Sequence, residues 1–470
     1  MSETLLDRSI CEIGAALRNG STRIEDLTAD VLDRHARRGD VLNAYKYWAG
    51  DSIKTDADAA AAALAAGYDH GPLMGLPVSF KDIFGVAGMP TCAGTPKELP
   101  KKWRGEGPVV AAMRGQFAVI SGKTHSVEFA FGGVGTGAHW PSPRNPWDAN
   151  APRVSGGSSS GAGVSIAEGS ALLAFGTDTG GSVRIPASVT GQVGLKTSIG
   201  CWSTAGIVPL SSTFDTPGLM TRSVEDAIIA FGAVNPGCDD PTALLDRLGG
   251  LAAGDLRLGI CDEHFWDDCS PGIVEGVRTA IDELTGAGAQ LNNLPLPEAF
   301  AARTCFINGS LFGVEGLSFI GEEYPDRIET LDPNIKARFD IARKVSGVDY
   351  FTEKRNIEKM AAAVDERLRH VDVLVAPTVP MTPPTIEDMA DARKYAKANG
   401  EMTRNTQPIN LLALCALTMP VALDAAGMPV GLQLITRHGA EEALLAAALA
   451  CEKTLGTARA RIGLPPLCRD

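Results

Sequence analysis

Two serines and one lysine stand where their side chains could carry out nucleophilic chemistry. Ser158 lies in the run Gly-Gly-Ser-Ser-Ser-Gly, Ser182 follows a second Gly-Gly pair, and Lys81 ends the apolar run 76–80. A serine hydroxyl becomes a strong nucleophile only when a neighbouring base takes its proton. Because neither serine has a histidine close to it in the sequence, a neutral lysine is the candidate base. The three residues therefore predict a proton relay from Ser182 through Ser158 to Lys81.

Such a base works near neutral pH only if the lysine gives up its proton readily. The ordinary pKa of a lysine side chain is ~10.4, and lowering it by one unit corresponds to about 1.4 kcal/mol. Val78, Phe80 and Ile83 place apolar side chains around Lys81. Burial among apolar side chains disfavours the charged ammonium and lowers its pKa. We therefore expect Lys81 to be buried.

The segment around Ser182 also offers backbone donors for an anion. The sequence Gly-Thr-Asp-Thr-Gly-Gly-Ser-Val-Arg-Ile-Pro occupies residues 176–186 and follows the apolar run 171–175, which predicts a buried strand. Gly180 and Gly181 permit a tight bend, and successive N–H groups in such a bend can converge on an oxyanion. Taken alone, an ordinary glycine-rich loop explains this segment equally well.

The order of these segments resembles the amidase signature family. The two Gly-Gly-Ser segments match its signature, and Gly-Pro-Leu-Met-Gly-Leu-Pro-Val-Ser-Phe-Lys-Asp at 71–82 resembles the segment that carries the family's lysine. Shorter matches to the family occur at 122–124, 128–130, 144–147, 215–218 and 427–433. Residues 240–415 match the family only loosely.

The resemblance implies a role for each candidate residue. Ser182 would be the nucleophile that forms an acyl-enzyme. Ser158 would be a bridging serine that follows a cis peptide bond from Gly157, and Lys81 would be the base. Backbone N–H groups would form the oxyanion hole, and these belong to Thr179, Gly180, Gly181 and Ser182. The substrate would be contacted by Phe129, Gly132 and Gly157.

The same segment carries one further pair of charged residues. Asp178 precedes Ser182 and Arg184 follows it, so the two residues flank the bend. We interpret them as an ion pair that holds the bend, in preference to a role in contacting the substrate.

The implied activity is hydrolysis of the C–N acyl bond of a small molecule, either an amide, an aryl amide or a carbamate. Two alternatives stay open. The same family includes a component of tRNA-dependent amidotransferases, which works inside a complex. In addition, Gly-Ser-Ser-Ser-Gly at 157–161 fits the pattern G-x-S-x-G, which would make Ser159 the nucleophile of a Ser–His–Asp hydrolase.

The overall composition argues against several other classes of protein. The 470 residues carry a net charge of −13, and an acidic surface is unsuited to binding the phosphates of nucleic acid. The ten cysteines include no Cys-x-x-Cys pair, and the seven histidines are dispersed. The sequence therefore predicts neither a metal site nor a disulfide framework, and we expect reduced thiols and no cofactor.

No segment predicts an export signal or a membrane anchor. The chain begins Met-Ser-Glu-Thr-Leu-Leu-Asp, which lacks the basic residues and apolar run of a signal peptide. The most apolar stretches, such as 444–450, are shorter than the about 20 residues that cross a bilayer. We therefore predict a cytoplasmic protein that binds a small-molecule substrate, binds neither membrane nor nucleic acid, and could assemble as a homodimer.

Apolar runs and amphipathic segments alternate along the chain, which predicts an α/β fold. We expect one large domain over residues 1–470, with a central mixed, largely parallel β-sheet covered by helices on both sides. The signature core would occupy about 70–225. The mainly helical block at about 298–400 would form the variable part of the substrate pocket.

Three local predictions concern the ends of helices. Thr22 and Glu25 fit a capping box at the start of an early helix. Ser223 is placed to cap a helix that ends near residue 234. Residues 405–417 suggest a further helix.

Overall fold

A mixed β-sheet of eleven strands lies at the centre of the computed structural model, which describes residues 5–261 and 263–469. The strands of these described residues are β1 Tyr45–Trp48, β2 Pro77–Lys81, β3 Val119–Thr124, β4 Leu173–Thr177, β5 Val193–Lys196, β6 Pro217–Thr221, β7 Arg257–Ile260, β8 Gln290–Asn293, β9 Val373–Pro377, β10 Cys415–Leu423 and β11 Pro429–Thr436. Their order across the sheet is β1-β3-β2-β4-β6-β5-β10-β11-β9-β7-β8.

The sheet contains two parallel groups separated by antiparallel strands. β3, β2 and β4 run parallel to one another, as do β9, β7 and β8. The strands from β4 through β6, β5, β10 and β11 to β9 pair antiparallel, as does β1 with β3. The prediction of a mixed sheet in one α/β domain is confirmed. Parallel pairing takes a smaller share of the sheet than we expected, because connections such as the short loop 424–428 join neighbouring antiparallel strands.

Helices flank this sheet. In the described part of the chain they are α1 Ile10–Arg18, α2 Ile24–Leu42, α3 Gly50–Ala65, α4 Pro108–Gly115, α5 Ala162–Glu168, α6 Arg184–Thr190, α7 Val224–Val234, α8 Pro241–Leu248, α9 Ile273–Gly286, α10 Pro297–Gly309, α11 Leu311–Glu323, α12 Pro333–Ala342, α13 Gly347–Arg367, α14 Ala392–Met402, α15 Gln407–Leu411, α16 Glu441–Leu455 and α17 Ala458–Ile462. The block at about 298–400 is mainly helical, as predicted.

The strands that carry the candidate site are completely buried. Every residue of β2 and of β4 is shielded from solvent, which is typical of parallel strands with both faces covered. The rings of Phe80 and Phe175 stack between these strands with their centroids 5.1 Å apart. Aromatic stacking of this kind contributes about 0.5–1.5 kcal/mol beyond burial alone, so this part of the sheet is a rigid support.

The helix ends show where local sequence patterns suffice. The predicted cap at Ser223 is confirmed, since its hydroxyl accepts from the N–H of Asp226 at the start of α7. The prediction of a capping box formed by Thr22 and Glu25 is wrong. Helix α2 is preceded by Arg23, which provides no side-chain cap, and the Arg23 side chain pairs with the Glu25 carboxylate instead.

The predicted helix at 405–417 is only partly present. Helix α15 stops at Leu411, and Cys415 already belongs to β10. Ala413 adopts a φ of +58°, a left-handed conformation that a helix cannot continue through. The apolar run therefore divides between a short helix and a strand.

Of the described residues, no helix combines the length and the apolar composition that a membrane crossing demands.

Candidate active site

Two adjacent parallel strands bring the reactive side chains to one edge of the sheet. β2 and β4 are paired in parallel, with Phe80 opposite Phe175. β2 ends at Lys81, and β4 ends at Thr177, just before the turn that contains Ser182. Because parallel strands share the edge at which their carboxyl ends lie, the lysine and the turn meet there. We call residues 178–182 the nucleophile turn.

Lys81 contacts two hydroxyl groups at this edge. Its Nζ lies 2.7 Å from Ser158 Oγ and 3.0 Å from Thr177 Oγ1, donating to both. Burial lowers the pKa of the Lys81 ammonium to about 7, against the opposing charges of Asp215 and Asp178. The predictions that Lys81 is buried and that its pKa is lowered are confirmed. Thr177 is a contact that no pattern in the sequence marks.

The two serines belong to turns that are fastened together. Ser158 is fully buried, and the peptide bond between Gly157 and Ser158 is cis, as the family resemblance implied. The N–H of Ser159 donates to the carbonyl oxygen of Ser182 at 3.3 Å. Ser182 keeps 7% of its surface exposed while Lys81 and Ser158 have none. It is therefore the member of the predicted relay that lies nearest to solvent.

An ion pair holds the nucleophile turn from beneath. Asp178 and Arg184 are both completely buried, with Nη2 3.0 Å from Oδ1. Burial disfavours the charge of Asp178, but the Arg184 guanidinium holds the pKa of that carboxyl well below its ordinary range. Arg184 also donates to Gln433 Oε1 at 2.6 Å and to Asn410 Oδ1 at 2.5 Å. These contacts support the structural interpretation of the pair.

The N–H groups of the nucleophile turn are divided between two partners. The N–H of Gly181 donates to Asp178 Oδ1 at 2.7 Å, so the structure corrects the expectation that it serves an oxyanion. The buried carboxylate takes this donor because it needs partners for its own oxygens. The N–H groups of Thr179, Gly180 and Ser182 donate to no acceptor within the described residues. These three are the remaining candidates for an oxyanion hole.

The predicted substrate-binding residues lie beside the serine turns. A Cβ added to Gly157 would lie 2.9 Å from the carbonyl oxygen of Gly132, and one added to Gly132 would lie 2.7 Å from Tyr395 Oη. Both glycines are thus tightly enclosed and close to each other. The Phe129 ring is buried and stacks on Tyr324, with the centroids 6.2 Å apart. Contact of these three residues with substrate stays a prediction.

Comparison with known protein families decides the family. The family model called Amidase matches residues 26–445. The chain belongs to the amidase family. Membership makes it a hydrolase of carbon–nitrogen bonds, and it explains why the two serine turns and the lysine segment occur in this order.

Relatives match this amidase along almost its whole length. It is 46% identical to the 2-amino-5-chloromuconic acid deaminase of Comamonas testosteroni, over 98% of both chains. It is 30% identical to a glutamyl-tRNA(Gln) amidotransferase subunit of Thermobifida fusca, over 96% of both chains. A crystal structure of an amidase with 29% identity superposes with a TM-score of 0.82, covering 96% of this chain and 100% of its own. The fold is therefore that of amidase signature enzymes.

Two polar side chains of this amidase that no sequence motif identifies lie against the loop 129–132. Arg338, on α12, donates to the carbonyl oxygen of Phe131 at 2.6 Å, and its guanidinium lies 3.6 Å from the centre of the Phe131 ring. Tyr395, on α14, is 3% exposed, and its hydroxyl has no hydrogen-bond partner among the described residues. No local pattern marks either residue, because each meets the loop only through the tertiary fold.

Two other kinds of site receive no support from the geometry of the amidase. Ser159 is fully buried, and its Oγ donates to the Thr177 carbonyl at 3.4 Å, with no histidine partner in the described part of the chain. The alternative of a Ser–His–Asp triad at Ser159 therefore has no base and no access for substrate. Residues 5–261 and 263–469 also contain no cluster of three His, Cys, Asp or Glu side chains suited to a metal ion.

Proposed function

We propose that this amidase cleaves a C–N acyl bond with Ser182 as nucleophile, Ser158 as proton bridge and Lys81 as base. The observation that carries the proposal is the 2.7 Å contact between the buried Lys81 Nζ and Ser158 Oγ. A neutral amine can take the proton of Ser158, whose oxygen then takes the proton of Ser182. The pKa of Lys81, lowered by burial to about 7, makes the neutral amine available.

The reaction proceeds in two halves that use the same proton path. First, Ser182 Oγ attacks the carbonyl carbon while its proton passes through Ser158 to Lys81. The C–N bond then breaks, the proton returns through Ser158 to the leaving nitrogen, and an acyl-serine remains. Second, water attacks the acyl carbon and its proton takes the same path to Lys81. The ester bond breaks, the proton returns to Ser182 Oγ, and the acid is released.

The negative charge on the carbonyl oxygen needs donors that are in place before the reaction. The N–H groups of Thr179, Gly180 and Ser182 supply them in this proposal, since Gly181 is engaged by Asp178. One such donor is worth about 3 kcal/mol of transition-state stabilisation. The buried ion pair beneath the turn keeps these donors from reorganising during the reaction.

A set of single substitutions tests the relay. Ser182→Ala and Lys81→Met should abolish the release of ammonia or amine from a panel of carboxamides, aryl amides and carbamates. Ser159→Ala should retain activity and is the matched control, because it removes a neighbouring hydroxyl that has no part in the relay. Mass spectrometry after treatment with phenylmethanesulfonyl fluoride should place the adduct on Ser182. An adduct on another residue contradicts the proposal.

Within this function, Arg338 supports a substrate that carries a carboxylate. Its guanidinium has no carboxylate of the described residues within ion-pair distance, and burial lowers its pKa to about 10 against the influence of Tyr395. Phe131, which holds Arg338, precedes Gly132, and that glycine lies against Gly157. An anionic group bound here would satisfy both the guanidinium and the Tyr395 hydroxyl. The Comamonas relative is named for deaminating an acid.

Two amides that differ only in charge test this preference. For the monoamide of succinic acid, Arg338→Gln should raise KM about 10- to 100-fold, as expected for the loss of a charge-assisted hydrogen bond worth ~1.5–3 kcal/mol. For the methyl ester of the same amide, KM should hardly change. Arg343→Gln, which alters an exposed arginine just beyond α12, serves as control. Equal effects of Arg338→Gln on both compounds would argue against a carboxylate site.

The similarity to an amidotransferase component supports a second candidate function. That relative is 30% identical over 96% of this chain. An amidotransferase component would depend on its partner proteins for useful activity. Steady ammonia release from a simple amide by the purified chain alone favours the hydrolase, whereas activity that appears only with added partner proteins favours the amidotransferase.

We also infer that the amidase works in a reducing compartment such as the cytoplasm. All ten cysteines are in the thiol form in the structure. Burial raises the pKa of several of them, including Cys415 and Cys451, to about 12, which keeps them protonated and unreactive. Thermal unfolding should therefore be the same with and without a reducing agent.

A further inference from the structure

A carboxylate that the proposed mechanism leaves unused lies beside the nucleophile turn. Asp215 stands two residues before β6, and its Oδ1 accepts from Thr179 Oγ1 at 2.5 Å. Its Oδ2 accepts from the N–H groups of Leu210 and Ser211, at 2.9 and 3.1 Å. The side chain thus joins the loop 210–215 to the turn that carries the candidate oxyanion donors.

Asp215 is also linked to the surroundings of the base, because its partner Thr179 lies two residues after Thr177, whose hydroxyl is 3.0 Å from Lys81 Nζ. Two carboxylates favour the charged form of Lys81, and Asp215 has the larger influence, ahead of Asp178. Asp178 is neutralised by its buried ion pair with Arg184 and is influenced in addition by Lys196. The cation that acts on Asp215 is Lys81 itself. Burial raises the pKa of Asp215 to about 6, whereas the three donors that its oxygens accept from favour the charged carboxylate.

We propose that Asp215 is a positioning residue of the relay, which orients the Thr179 end of the nucleophile turn and sets the protonation state of Lys81 by its charge. The inference rests on the proposed function, because it takes Lys81 as the base. One carboxylate would then adjust both halves of the site, the oxyanion donors and the proton acceptor.

A second carboxylate binds the loop 210–215 through other hydrogen bonds and provides a matched control. Glu315, on α11, accepts from Ser211 Oγ, Ser212 Oγ and the Thr213 N–H at 2.9, 3.1 and 3.0 Å. It also accepts from Tyr350 Oη at 2.6 Å. These bonds outweigh burial and lower its pKa below the ordinary value, so Glu315 is also charged. The groups that act on Lys81 do not include it.

The test measures how fast phenylmethanesulfonyl fluoride inactivates the enzyme between pH 5 and pH 9. In this reaction Ser182 Oγ forms a bond to sulfur, fluoride leaves, and the serine proton passes through Ser158 to Lys81. The rate therefore reports the neutral fraction of Lys81 without requiring the physiological substrate. In the wild type the rate should rise with pH and level off above the lysine's pKa.

Asp215→Asn should change both the position and the height of this profile. Loss of an opposite charge favours the neutral amine, so the rising limb should move about one unit towards lower pH. The plateau should fall about tenfold, because Thr179 loses its strongest acceptor and an oxyanion donor is less well placed. Glu315→Gln should lower the plateau and leave the limb where it is, since it loosens the same loop without altering the charge beside Lys81.

The outcomes separate this inference from the proposed function. An unshifted limb in folded Asp215→Asn, with a thermal unfolding midpoint close to wild type, overturns the inference and leaves the relay intact. A rising limb that persists in Lys81→Met overturns the relay itself. If Asp215→Asn does not fold, Asp215→Glu provides the test, because it keeps the charge. It should lower the plateau without moving the limb, and a moved limb contradicts the proposal.

Discussion

A lysine side chain in water holds its proton at neutral pH, with an ordinary pKa of ~10.4. Three lysines are fully buried near this site, and their partners distinguish them. Lys123 pairs with the Asp82 carboxylate at 3.0 Å, which favours the charged form of the amine. Lys196 donates to two backbone carbonyl oxygens, which can only accept. The partners of Lys81 are hydroxyls, which donate or accept equally well. Of these three lysines, Lys81 is the one whose amine contacts a serine of the predicted relay and can exchange a proton with it.

This difference predicts the pH dependence of the reaction. Burial lowers the pKa of Lys81 to about 7, and the neutral amine is the active form. Below that pKa, kcat/KM should fall about tenfold for each unit of pH, and above it kcat/KM should be constant until another group titrates. A pH–rate profile of the purified enzyme checks this. A limb centred near pH 4, where ordinary carboxylates titrate, would point to a different base.

At the residue scale the sequence predicts the relay but not its surroundings. Lys81 and Ser182 could be found because each interrupts an apolar or glycine-rich pattern at the end of a strand. Asp215 lies in the segment 215–218 that matches the family, but no pattern shows that it binds Thr179, and Arg338 lies in no motif. The contacts of Asp215 with Thr179 and of Arg338 with Phe131 form only after folding. Nor does a sequence show that the Gly181 N–H is engaged by a carboxylate three residues earlier.

At the scale of elements, α11 is the helix through which the helical block reaches the nucleophile turn. A Cβ added to Gly180 would lie 2.9 Å from Phe312 Cε2. The Phe312 ring also packs against Phe214 and Phe306, with centroids 5.4 and 4.6 Å away. One helical turn later, Glu315 binds the loop 210–215. The helix therefore presses on the turn with an apolar ring and restrains the adjoining loop with a carboxylate.

Removing the Phe312 ring should affect stability and catalysis together. Phe312→Ala leaves a cavity, which costs about 3–5 kcal/mol for a buried aromatic ring, and it frees Gly180 to move. We expect a lower midpoint of urea unfolding and at least a tenfold lower kcat. Phe319→Ala is the control, because Phe319 lies on the same helix but packs on Trp103 and Tyr324. It should lower stability and spare kcat, and equal losses of kcat in both variants would contradict a specific role for Phe312.

The limits of sequence-based prediction for elements have the same physical origin. Helix α7 could be bounded because Ser223 caps it locally. The run 405–417 is apolar throughout, and such a run suits a buried helix and a buried strand equally. Its division at Ala413 is decided by pairing of β10 with β5 and β11. The two parallel groups of the sheet likewise depend on which distant strands become neighbours.

At the scale of the whole molecule, the Asp178–Arg184 pair joins the nucleophile turn to the C-terminal quarter of the chain. Arg184 donates to Gln433 on β11 and to Asn410 on α15, more than 220 residues away along the sequence. These segments lie outside the signature core, yet they fix the turn that carries Ser182. The shape of the nucleophile turn therefore depends on contacts from the last quarter of the chain.

This coupling predicts that a single buried charge controls both folding and activity. Asp178→Asn keeps the shape of the side chain but leaves the fully buried Arg184 without a carboxylate, and breaking a buried pair in this way costs about 3–5 kcal/mol. The N–H of Gly181 also loses its charged acceptor, so the turn should relax. We expect a large fall in the free energy of unfolding, measured by urea denaturation, and slower sulfonylation of Ser182 in the remaining folded protein.

Glu442→Gln is the control for this prediction. It removes one partner of the exposed Arg247–Glu442 pair and should change stability by less than about 1 kcal/mol with no effect on sulfonylation. A folded, fully reactive Asp178→Asn enzyme would show that the turn holds its shape without this charge.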